Sequence, residues 1–201
     1  MSAGGASGEG QGARERPQGA PEHGEGPAFE RLRADTVYSG RLVDVSIAAY
    51  RHRDGEEVTR EIVHHQGAVA VVAHDGEHVW LVRQPREAVA EPELLELPAG
   101  RLDVEGEQPL RTAERELAEE VGLGARSWQP ILSYYSSAGF SDERVHLFHA
   151  TDLFPRSAES EENERIEVVT WSLRRLEQAI GECRDAKTLI GLLWLARRLN
   201  G

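Results

Sequence analysis

Four glutamates crowd the stretch RTAERELAEEVGL (111–123), and Glu116, Glu119 and Glu120 have no basic residue beyond them until Arg126. On a helix, steps of three and four residues put these three carboxylates on one face. Clustered carboxylates suit a hard divalent cation such as Mg2+ or Mn2+, which prefers oxygen ligands. The Ala99 carbonyl, in the glycine turn PAG (98–100), offers a further oxygen. A solvated acidic face is the competing reading, and three glutamates taken alone favour it.

The elements that must position these residues follow from periodicity. Leu110, Ala113, Leu117 and Val121 form an apolar stripe that predicts a helix from about Gln108 to Val121, stopped by Gly122. Before it, LVDVSIAAYRH (42–52) and EEVTREIVHH (56–65) flank Asp54-Gly55, while GAVAVVAH (67–74) and EHVWLVRQ (77–84) flank Asp75-Gly76. Asp-Gly supplies the positive φ of tight turns, so both pairs read as β-hairpins. LLELPAG (94–100) reads as a short strand ending in a glycine turn. Further strands are expected at 130–136, 144–150 and 166–171. Two closing helices follow, one after a Ser172 cap and one after an Asp185 cap, the latter with Leu189, Leu192, Leu193, Ala196 and Leu199 as its apolar face. Adjacent residues on a strand point to opposite faces, so His64 and His65 read as strand residues without shared chemistry. Strand runs with inserted helices indicate an α/β sandwich.

The whole chain narrows the function classes. Its 201 residues carry a formal net charge of −12, which argues against a nucleic-acid or membrane-surface binder. The single cysteine, Cys183, excludes an internal disulfide framework and suits a reducing compartment. No apolar run approaches membrane-spanning length and no hydrophobic signal core is seen, so a cytoplasmic protein is expected. Residues 1–27 hold 8 of the 20 glycines and almost nothing that could enter a core, which predicts a disordered Gly/Pro-rich tail.

The spacing then decides between metal site and acidic face. Gly100, Glu107, Arg115-Glu116-Leu117, Glu119-Glu120 and Gly122-Leu123 resemble the Nudix box, a glycine and a glutamate followed by R-E-U-x-E-E-x-G-U with U apolar. One departure exists: six residues separate Gly100 from Glu107, where the family pattern has five. The resemblance implies a Nudix-type α/β/α sandwich with a mixed sheet, over residues 66–201. It also implies a loop and helix that bind divalent metal, with Glu116 and Glu120 as main ligands, Glu119 close by, and Glu107 with Arg115 as a bracing ion pair.

Beyond the box, VYSGRL, LVRQPR, LLELPAG, GFSDER and ENERIEV occur in the order seen in ADP-ribose pyrophosphatases. That resemblance implies hydrolysis of ADP-ribose to AMP and ribose 5-phosphate by a homodimer, with residues 28–65 as dimerising N-terminal antiparallel strands. It makes Tyr38 a packing partner for adenine, and Arg60, Glu61 and Arg86 substrate contacts. It places the catalytic base on Glu162 and a further metal contact on Glu164. Glu143 is the second candidate base, better suited to contact substrate or metal-bound water. Members that prefer ADP-ribose usually carry S-P-G beyond the box, whereas this chain has Ser137-Ala138-Gly139. Gly139 keeps the turn, but the missing proline leaves other nucleoside diphosphate sugars as competing substrates. A non-catalytic nucleotide-sensing domain is the alternative from another class.

Overall fold

The structure, a computed structural model, describes residues 27–156, 158 and 165–201. An N-terminal sheet comes first: β1 (Phe29–Ser39), β2 (Asp44–His52) and β3 (Glu57–His64), antiparallel in that order. The expected Asp-Gly hairpin joins β2 to β3, with Gly55 at φ 88° and the Asp54 carboxylate accepting from Glu56 N–H. Every residue of β1 is exposed, including Phe29, Val37 and Tyr38.

The second sheet holds the core. β4 (Ala68–His74), β5 (His78–Arg86), β6 (Glu91–Glu96), β7 (Ala99–Arg101), β8 (Leu123–Tyr135), β9 (Arg144–Pro155) and β10 (Glu167–Ser172) form seven strands, and the main path runs β10-β5-β4-β9-β8. β4 pairs parallel with β9 and the other ladders are antiparallel, so the sheet is mixed. β4 reads AVAVVAH because it is covered on both faces. Val69, Val71 and Ala73 face helix α1 (Pro109–Val121), whose Ala113 and Leu117 are fully buried against them. Ala70 and Val72 face the opposite layer, made by α2 (Leu176–Glu182) and α3 (Ala186–Leu199) through Leu176, Leu192 and Leu195. The expected α/β/α sandwich with its N-terminal antiparallel sheet is therefore present.

Three local expectations need correction. The β4–β5 hairpin pairs only next to its turn, at Ala73 with Trp80 and His74 with Val79. The segment after β5 wedges into the gap, β6 pairing with β5 and β7 with β4. Pro98 divides that segment because it has no N–H for a ladder, while its carbonyl still accepts from Val71 N–H at 2.9 Å. Secondly, Leu193 and Leu199 on α3 are half exposed, and the buried face runs through Thr188, Gly191, Leu192 and Leu195. Gly191 belongs there because a Cβ would lie 2.5 Å from Leu97 Cδ1. Finally, Asp185 does cap α3, accepting from Thr188 N–H, but Ser172 makes no side-chain cap and a 3-10 turn (Leu173–Arg175) precedes α2.

Candidate active site

The box glutamates are set by the wedge. Pro109 starts α1 at a position where its missing N–H costs no helical bond, and Gly122 ends it in the left-handed region at φ 76°. The stripe of Ala113 and Leu117 fixes the rotation of α1 on β4, which turns residues 116 and 120 toward β7. Glu116 is 9 % exposed and Glu120 8 %. The Ala99 N–H donates to Glu120 Oε2 at 3.0 Å, tying strand to helix. A Cβ on Gly100 would lie 1.9 Å from the Glu116 carboxyl carbon, so only glycine leaves room for that side chain. Ala99, Gly100, Glu116, Glu119 and Glu120 all line one cavity of about 440 Å3.

Arg115 binds this group together more widely than a single brace. Its guanidinium lies 3.5 Å from Glu107, as the spacing implied, but 2.8 Å from Glu116 and 2.9 Å from Glu119. The residue inserted before Glu107 is absorbed in a turn where Gly106 adopts φ 77° and Glu107 N–H donates to Val104 O. Glu107 also accepts from the Thr112 hydroxyl at 2.9 Å.

The wall contributed by β5, β6 and α3 carries two cations, Arg86 and Lys187, held by carboxylates. Arg86 makes a forked pair with Glu96 at 2.5 and 2.9 Å, and Lys187 reaches the same carboxylate at 2.5 Å. Glu96 is fully buried. The two bonds to Glu96 hold the Arg86 guanidinium above its ordinary range despite burial. Sequence reasoning found Arg86 but missed Glu96 and Lys187. The available signal for Glu96 was a carboxylate inside the apolar run LLEL.

A third contribution comes from the turn before β9. Glu143 lines the cavity, 3.6 Å from His65. Asp142 accepts from His65 N–H at 2.9 Å and pairs with the His64 ring at 2.5 Å. Burial opposes ionisation of Asp142, but these two bonds keep its carboxyl below the usual range. His64 and His65 thus lock the turn carrying Glu143 to the N-terminal sheet, a linkage invisible in their strand positions. Tyr134 also lines the cavity; burial, with the charges of Asp185 and Glu143, raises its phenol well above ten.

Other expected site residues lie elsewhere in this chain. Arg60 and Gly139 line a second, more apolar cavity of about 330 Å3, on the Asp142 side of the same turn. Tyr38 and Glu61 are exposed on β1 and β3 and line neither cavity. Glu162 and Glu164 lie outside the described residues, as do residues 1–26 of the expected tail.

The donor chemistry fits a hard divalent cation. Two nearly buried carboxylates and a third beside them face a cleft in which a glycine leaves space for one of them. Arg115 supplies the positive charge for Glu116 and Glu119 in this structure. Among the described residues no three of His, Cys, Asp or Glu already converge as a ready-made metal site. Arg115 contacts Oε1 of Glu116 and Oε2 of Glu119, so the brace engages one oxygen of each carboxylate.

Comparison with known proteins agrees with this geometry. The profile of the NUDIX domain matches residues 63–189. The chain belongs to the Nudix family. It is 37 % identical over 166 residues to the ADP-ribose pyrophosphatase of Bacillus subtilis, covering 80 % of this chain and 89 % of that protein. It is 36 % identical over 177 residues to the methanol dehydrogenase activator of Bacillus methanolicus, covering 85 % and 95 %. An ADP-ribose pyrophosphatase of Mycobacterium tuberculosis is 44 % identical over 126 residues, 62 % of this chain and 60 % of that one. The crystal structure of an ADP compounds hydrolase shares the fold, with TM-score 0.76 over 87 % of this chain and 96 % of that chain at 24 % identity.

Proposed function

We propose that this protein hydrolyses the diphosphate of ADP-ribose, giving AMP and ribose 5-phosphate, with a divalent cation, Mg2+ foremost, held by Glu116, Glu120 and Glu119. The observation that carries the reading is a single cavity with the box glutamates on one wall and Arg86 on another. The similarity to ADP-ribose pyrophosphatases supports the substrate class. Bound there, the cation would neutralise phosphate charge and acidify the attacking water. The Arg86 fork would orient the diphosphate, since Glu96 fixes its guanidinium plane. Glu143 is the described carboxylate best placed to hold or accept a proton, and Glu162 is the base assigned by the family motif.

The 36 % identity to a protein named an activator keeps a regulatory role in view. The complete set of box glutamates favours hydrolysis over a purely regulatory role. We further propose a homodimer. Tyr38, Arg60 and Glu61 lie away from the glutamate cavity of their own chain, while β1 exposes Phe29, Val37 and Tyr38, so these residues would serve a partner's site. The buried thiol of Cys183 fits a reducing cytoplasm.

Incubation with ADP-ribose, ADP-glucose, UDP-glucose and a nucleoside triphosphate, each with and without Mg2+, tests the assignment. AMP and ribose 5-phosphate released from ADP-ribose only with metal support it. No turnover of ADP-ribose, with brisk turnover of a triphosphate, would refute it. Light scattering should report about twice the chain mass of 22.3 kDa.

A further inference from the structure

Lysine and arginine together number 23 in this chain, and Lys187 is the one lysine among them. It stands in the first turn of α3, and its ammonium lies 2.5 Å from Glu96 and 3.0 Å from Asp185. Both Lys187 and Asp185 line the cavity that carries the box glutamates. Glu96 already receives two bonds from Arg86, which satisfies one buried carboxylate. A second cation on the same group is more than its burial requires. An ammonium has three N–H donors; Glu96 accepts from one, and even if the Asp185 ion pair at 3.0 Å engages a second, one is left. The third remains for the cavity, beside the Arg86 fork, whose Nη1 edge is not used by Glu96.

We propose that Lys187 is a phosphate-binding residue of this cavity, donating from its ammonium to a non-bridging oxygen of the bound diphosphate next to Arg86. The assignment rests on the diphosphate hydrolysis proposed above. The residue type fits the place. A compact ammonium fits between Glu96 and Asp185, where a second planar fork would compete with Arg86 for Glu96. Asp185 fixes the position from the other side, because as the α3 cap it accepts from both Thr188 N–H and Thr188 Oγ1. Thr188 in turn accepts from Leu97 N–H at 2.8 Å, so the ammonium is referenced to the β6–β7 wedge that holds the metal-site backbone.

A mere internal strut would affect stability but leave KM unchanged, and the single lysine adds a direct probe of ligand at the cavity wall. Protein grown with 13C-labelled lysine gives one lysine side-chain resonance. Titration with the α,β-methylene analogue of ADP-ribose and Mg2+ should shift it saturably, with the midpoint that calorimetry gives for binding. Lys187→Met should raise KM about tenfold or more with kcat within a few fold, as for loss of a charged hydrogen bond, and Lys187→Arg should recover only part. An unmoved resonance while calorimetry shows the analogue bound, or a folded Lys187→Met with unchanged KM, overturns the assignment. If Lys187→Met does not fold, the wild-type titration decides alone. Wild-type protein that hydrolyses no ADP-ribose would overturn the diphosphate reading and this assignment with it. Hydrolysis with an unresponsive Lys187 overturns this assignment only.

Discussion

A histidine pair with one buried member, His149, should make this fold acid-sensitive by a calculable amount. His74 closes β4 and His149 lies on β9, with their Nε2 atoms 2.8 Å apart. Gly76 N–H donates to His74 Nδ1, so the neutral His74 ring carries its proton on Nε2 and donates it to His149 Nε2. His149 is 7 % exposed and packs 5.0 Å from the Trp194 ring. Burial first, then His74 and Arg198, lower its pKa from 6.5 to about 4. His74 is lowered as well, chiefly by burial. In the unfolded chain His149 takes up a proton as pH falls through 6.5, whereas the folded chain resists until about 4. Its contribution to stability is therefore complete above 6.5 and is lost progressively as pH falls from 6.5 to 4. At about 1.4 kcal/mol per pKa unit, the loss approaches ~3 kcal/mol at the acid end. Urea unfolding at pH 7.5 and near 4.5 measures it. His149→Gln retains an acceptor for His74 Nε2–H but cannot titrate, so its stability should fall less between those pH values, by about 2 kcal/mol or more. Identical pH slopes for wild type and His149→Gln would refute the reasoning.

Other tests address the site. Gly100→Ala should push the Glu116 carboxylate out of its place and lower turnover about a hundredfold, while melting temperature changes little because a flexible side-chain end yields rather than backbone; normal turnover would show that Glu116 need not sit against β7. Glu162→Gln should lower kcat about 10²–10⁴-fold with affinity nearly kept, as for loss of a general base, and Glu143→Gln should have the smaller effect. The reverse order would place the base on the turn before β9. Leu117→Ala should cost about 2–5 kcal/mol in denaturant unfolding, since Leu117 is fully buried against Val69, Val71 and Ala73; a loss well under 1 kcal/mol would mean that α1 packs more loosely on β4.

What the sequence made legible was local. The α1 stripe and the Gly122 stop are encoded within one helix, and the Asp54-Gly55 turn within four residues, so periodicity and turn chemistry reach them. The α3 face was misread for a physical reason: its buried side includes Thr188, whose hydroxyl is satisfied by Asp185 and Leu97, and Gly191, which has no side chain to register as apolar. Counting leucines therefore rotated the helix. The wall of paired charges was harder to read because Lys187 and Glu96 meet across 91 positions in sequence. Glu96 inside LLEL signals that some cation must reach it, since a fully buried carboxylate without one would be strongly disfavoured. That demand specifies a charge but not its address. The address depends on Pro98 splitting the strand, because β6 then stays on β5 while β7 crosses to β4. One residue without an N–H thus leaves β7 on β4, where Ala99 and Gly100 meet Glu120 and Glu116 in the cavity that Arg86 and Lys187 also line.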